Sequence, residues 1–134
     1  MSKSAIYTAN TTAQSVESNG MINPGSVIRR FGCNCHLSNN SINITGTGYY
    51  SIDASFTVVP NAEDAVTITI YKDGVPIPGA TATATPTAAL SATNLSLTSI
   101  VREYCPCCDN SSILTFILTG ASVVTNAAIK VIKL

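Results

Sequence analysis

Charge is scarce in this chain. Seven basic and seven acidic residues cancel among 134, and charged residues make up 10% of the sequence, where about a quarter is usual in a soluble domain. A neutral, charge-poor chain is not built for nucleic acid, whose phosphates demand clustered Lys and Arg. Arg29-Arg30 is the one adjacent basic pair, and on a strand it reads as one solvated and one salt-bridged arginine. Long apolar runs are missing too. No window approaches the roughly 18 uninterrupted apolar residues of a membrane span, and Met1-Ser2-Lys3-Ser4 leads into a strand-like segment without an apolar signal region. The expectation is cytoplasmic synthesis without a signal peptide. Helical periodicity is likewise absent, and so are repeats of solenoid or propeller length.

What is present is alternation. Ile42 and Ile44 alternate with Ser41, Asn43 and Thr45, and after Gly46-Thr47-Gly48 a longer run places Tyr50, Ile52, Ala54, Phe56 and Val58 on one face. Asp53 falls on the opposite face as a solvated or hydrogen-bonded carboxylate with no catalytic partner. Val66, Ile68 and Ile70 continue the pattern, and Asp73-Gly74 marks a tight hairpin turn. Small residues from Gly79 to Ala89 predict a strand followed by a loop around Pro86. Leu95 and Leu97 open another strand that Ile100 to Tyr104 extends, and Ala127 to Leu134 forms the last. The run Ile113 to Leu118, apolar on both faces apart from Thr115, predicts a strand buried on both sides. The chain is expected to form one all-β domain over residues 1–134, a sandwich, jelly roll or barrel, long enough to bury about two-thirds of its unfolded surface. The shortage of charge further predicts an oligomer, because an isolated surface normally needs charge for solubility.

Four segments in order resemble the tumour-necrosis-factor-like and complement C1q-like jelly-roll superfamily, in the short form found in Firmicutes and their phages and prophages. They are Ser4 to Asn10, Ile44-Thr45-Gly46-Thr47-Gly48-Tyr49-Tyr50 with the strand that follows, Ile70-Tyr71-Lys72-Asp73-Gly74-Val75 to Ala80, and Leu114 to Gly120. The resemblance covers nearly the whole chain. It implies a two-sheet antiparallel jelly-roll sandwich assembling as a threefold homotrimer. It further implies a non-enzymatic structural or adhesive role in a phage fibre head, capsid decoration or tail tip. Neighbouring virion subunits or a host glycan would be its partners, and a virion or extracellular surface its place. A bacterial spore or cell-surface protein of the same fold is the alternative. The family's calcium-binding aspartate clusters have no match, since Glu63-Asp64 is one isolated pair.

Reactive groups concentrate in two short segments. All five cysteines and the single histidine lie in Cys33-Asn34-Cys35-His36 and Cys105-Pro106-Cys107-Cys108. A metal reading takes Cys33, Cys35, Cys105 and one of Cys107 or Cys108 as thiolate ligands to zinc, with His36 as an alternative ligand. This would make the chain a metal- or ligand-binding module. Strand residues two apart sit about 6.5–7 Å from each other, so Cys-x-Cys must bend to chelate. A disulfide reading closes a loop of about seventy residues between the clusters, contributing on the order of 4 kcal/mol in the chain-entropy model and leaving one thiol over. Separate buried or surface thiols are the third reading. Catalysis is not expected from Cys35 and His36, because adjacent strand residues face opposite sides and no third residue orients the base.

Overall fold

The computed structural model describes residues 3–38, 40–103 and 111–134. Two antiparallel sheets face each other. The first, in spatial order, is β10 (Thr93–Glu103), β7 (Gly48–Pro60), β12 (Ser122–Lys133), β1 (Ala5–Asn10) and β4 (Ser26–Phe31), with β2 (Gln14–Val16) also on β12. The second is β5 (Cys35–Ser38), β6 (Ser41–Thr45), β11 (Ser111–Thr119), β8 (Val66–Lys72) and β9 (Val75–Ala84), with β3 (Gly20–Met21) on β11. Strands are numbered in chain order, so each sheet mixes early and late strands, as a jelly roll requires.

The alternation in the sequence decides which side chains meet between the sheets. Tyr50, Ile52, Phe56 and Val58 of β7 are fully buried, and Ile42, Ile44, Ile68, Ile70, Leu114, Phe116 and Leu118 answer them from the second sheet. Phe56 and Phe116 touch across the sandwich, their ring centroids 5.7 Å apart and their planes tilted by 54°. At the predicted hairpin, Asp73 and Gly74 have φ of 53° and 81°, the positive pair that matches the twist of two-residue turns. The turn is tied to β11, where Asp73 N donates to Ile113 O and Ile113 N donates to Asp73 Oδ1, both at 2.9 Å. Pro76 and Pro78 fall on β9, an edge strand that tolerates missing donors.

One expectation needs correction. β11 is central in its sheet, between β6 and β8, but within the apolar run Leu114, Phe116 and Leu118 point inward and Ile113 is 46% exposed on the outer face. Centrality in hydrogen bonding covers a strand's edges and not its second face, which an antiparallel sheet leaves open unless another layer packs on it.

Candidate functional site

The outer face of the first sheet spans five paired strands. Its register lays side chains in rows. Ile100, Ile132, Ala5 and Phe31 make a row that is apolar apart from Ser51. Thr98, Asp53, Lys130, Tyr7 and Arg29 make a polar one beside it. Ser96, Ser55, Ala128, Ala9 and Ser26 make a third row of small residues. Over that third row the face is hollowed into a shallow depression of about 470 Å³, bordered by Tyr7, Asp53 and Lys130. Asp53 is the hydrogen-bonded surface carboxylate that the alternation predicts: Thr98 Oγ1 donates to its Oδ1 at 2.9 Å and Lys130 Nζ lies 3.4 Å from Oδ2. The apolar row stands out from solvent, with Ile100 61% and Phe31 59% exposed, and Tyr49 and Leu134 are exposed alongside it.

The first cysteine cluster lies at one end of the sandwich. Cys35 opens β5 and pairs with Ile44. Cys105, Cys107 and Cys108 lie outside the described residues, but both flanks of their segment are placed. Glu103 pairs with Gly48 and Ser111 with Thr45, so the segment leaves and re-enters at the β6–β7 turn, the turn to which Asn34 is bonded. Disulfide and metal readings alike need thiols from both clusters at this end.

The first cluster is held by a buried polar knot. Ser4 Oγ donates to Asn34 Oδ1 at 2.6 Å, and Asn34 Nδ2 donates to Thr45 O at 2.6 Å. Tyr50 Oη reaches Thr45 O at 2.7 Å and Gly46 O at 2.9 Å. Gly46, with φ of 97°, is required here because a Cβ would lie 2.5 Å from Asn34 Nδ2. Within Cys33 to His36 the two thiols part company: Cys33 is exposed, Cys35 is buried, and both are free. His36 points away from Cys35 toward the edge strand β4. Arg30 Nη1 lies 2.9 Å from its Nδ1 and Cys33 O lies 3.0 Å from its Nε2. Arginine has no acceptor, so Nδ1 must accept and Nε2–H donates to the carbonyl. Both ring nitrogens are thus committed, and Arg30 is partnered by an imidazole where a salt bridge was expected.

Glu103 is the residue that sequence reading missed. It is 5% exposed, and its Oε2 has no hydrogen-bond partner among the described residues. The signal was available: Leu95, Leu97, Ser99 and Val101 hold the inward phase of β10, and Glu103 is the next member of that series.

Burial pushes the Cys35 thiol up to about 11, opposed by the Arg30 and Lys133 charges. Burial also pushes the Tyr50 phenol up to about 12, assisted by Cys35 and Glu103. Both groups hold their protons more tightly folded than unfolded. The stability this contributes is complete below the thiol's ordinary value of 9.0 and is lost as pH rises through about 11 and about 12. Urea titrations are expected to show stability falling as pH rises across that window. A Cys35→Ala/Tyr50→Phe variant should show a flatter alkaline limb, and an unchanged limb would contradict the assignment.

No known family model matches the sequence, and no curated protein is similar to it in sequence. Solved structures are similar in fold. Murine APRIL at pH 5.0 superposes with a TM-score of 0.75 at 10% identity, covering 99% of this chain and 100% of that one. The PRD1 vertex protein P5 gives 0.68 at 13% identity, covering 98% and 96%. The globular domain of zebrafish complement 1qA gives 0.66 at 6% identity, covering 95% and 94%. The chain therefore has the jelly-roll fold shared by tumour-necrosis-factor-like and C1q-like proteins.

Proposed function

We propose that this chain is a non-enzymatic structural or adhesive protein of a virion, a homotrimeric jelly-roll head serving as a phage or prophage fibre head, capsid decoration or tail-tip component. The observation that carries the reading is the outer face of the first sheet, where an apolar row and a row of small residues lie open on a chain with little charge to solvate them. Large exposed apolar surface rimmed by polar groups marks an interaction site, and burial against copies of the same chain covers it by closed symmetry. Likeness to a virus vertex protein supports the virion setting.

The mechanism is geometric. Threefold burial makes a rigid knob, and the loops at the opposite end from the cysteines, Asn61 to Ala65 and Thr85 to Thr93, stay free to meet a host glycan or a neighbouring subunit. Those loops are braced by Asn61 N donating to Ala121 O at 3.1 Å and Leu90 N donating to Pro60 O at 2.8 Å. Synthesis is cytoplasmic, and the finished head resides in the particle. Light scattering at micromolar concentration is expected to report three chains per particle; a clean monomer would overturn the proposal. Gene neighbourhood separates this reading from a spore or cell-surface protein of the same fold.

A further inference from the structure

Where the two sheets come together along β9 and β10, the flank of the sandwich carries an open groove of about 450 Å³. It arises from the sequence of β9. Thr69 pairs with Thr81 and Tyr71 with Pro76, so four residues of β9, Ile77 to Ala80, stand against the single residue Ile70 of β8 and bulge out of the ladder. Gly79, with φ of 81°, takes the bend. Pro76 and Pro78 have no N–H to offer an added strand, so this stretch presents apolar surface instead of a pairing edge. Val75 and Pro78 line one side of the groove and Ile100 of β10 the other, and Ile77, packed on the core, lies between the turn and Pro78. One cation enters this lining. Lys72 Nζ donates across the groove to Arg102 O on β10 at 3.2 Å. An ammonium has three N–H bonds, and the other two have no acceptor among the described residues. Asp73 does not neutralise it: the two side chains form no ion pair, and Asp73 Oδ1 is held by Ile113 N on β11 at 2.9 Å.

We propose that this groove binds a free apolar monocarboxylate of the fatty-acid class, its carboxylate on Lys72 Nζ and its chain laid along Val75, Ile77, Pro78 and Ile100. The volume falls within the roughly 300–1,000 Å³ of small-molecule sites, which combine an apolar lining with a few placed polar groups. The charge fits the same class. One ammonium with two N–H bonds to give matches one carboxylate with two oxygens, and the contact is charge-assisted. A neutral amphiphile would gain the apolar contact alone, and a cationic one would meet Lys72 as a like charge. The chain of the ligand takes Val75 and Ile100 out of water, two exposed side chains that nothing in the protomer covers. Arg102 serves through its backbone carbonyl, which fixes Lys72, while its guanidinium stands over the Tyr49 ring at 5.9 Å from the centroid. Ile100 also belongs to the apolar row of the first sheet, so the groove opens at the margin of the proposed subunit contact.

The test uses the full chain, freed of lipid and titrated calorimetrically with decanoate below its micelle-forming concentration, with decanol as the neutral comparison. Expected is one decanoate per chain, bound about tenfold or more tighter than decanol. Lys72→Met, which keeps the apolar stem and removes the charge, should bring decanoate down to the level of decanol and leave decanol unchanged. Val75→Asp, at an exposed position, should weaken both ligands, and circular dichroism checks that each variant is folded. Decanoate binding that is unchanged in Lys72→Met, or uptake of several equivalents that Val75→Asp does not reduce, would place the amphiphile elsewhere on the surface and overturn the proposal. Absence of saturable uptake by the native assembly would do the same, and would mean that a second copy of the chain or a partner of other chemistry covers the groove. Light scattering on the same samples reports the mass independently, so a failure here is distinguishable from a failure of the trimer.

Discussion

Phe116→Ala is expected to destabilise the chain by about 4 kcal/mol, the cost of emptying a fully buried aromatic position whose surroundings relax only in part. Phe116 stands on the second sheet and Phe56 on the first, their centroids 5.7 Å apart, so the pair reports directly on how the sheets pack. A cycle combining Phe116→Ala with Phe56→Leu should reveal a coupling of about 1 kcal/mol. Urea unfolding at one fixed protein concentration measures it, since assembly adds a concentration-dependent term to apparent stability. A domain of this kind has a total of roughly 5–15 kcal/mol to lose, so the single change should lower the midpoint visibly. A loss below about 2 kcal/mol would mean that the sheets close over the gap, and the pair would not be the centre of the packing.

The second large effect is on assembly. Ile100→Asp combined with Phe31→Asp is expected to convert the proposed trimer into folded monomers at micromolar concentration. Both positions are more than half exposed in the protomer, at 61% and 59%, so the fold itself should change by no more than about 0.5 kcal/mol. Burying an unpaired carboxylate at a subunit contact costs several kcal/mol, and three copies of each are introduced around a closed ring. Light scattering reads the mass and far-ultraviolet dichroism reads the fold. A trimer that survives would move the contact to the outer face of the second sheet, where Ile113 and Val75 are exposed.

How much of this was legible depended on how long each pattern ran. The inward series Tyr50, Ile52, Ala54, Phe56 and Val58 extends over most of β7, and a period of two sustained that long has one structural meaning. Asp73-Gly74 was legible because the turn needs two positive φ values. By contrast β2, β3 and β5 have four residues or fewer, and β4 is exposed at every position, so their sequences carry no alternation to read. Such strands are specified by the neighbours that accept them. Ile113 misled for a related reason, because apolar residues on both faces do not say whether the second layer belongs to the same chain. Among the site residues the cysteines were conspicuous, whereas Glu103 was hidden by its position at the end of a regular series. Composition alone could not tell that His36 is locked by Arg30, which depends on the edge strands β4 and β5 of the two sheets coming together.

The placement of β12 has a consequence in time. This strand, residues 122–133, is the middle of the first sheet, between β7 and β1. A ribosome must therefore complete nearly the whole sequence before that sheet can close, and until then β1 and β7 each offer an open edge to other chains. Pairings so distant in sequence carry a large loop-closure cost and fold in milliseconds to seconds. The nascent chain is thus most vulnerable before β12 has emerged, and high-level synthesis should be limited by aggregation at that stage more than by the stability of the finished domain.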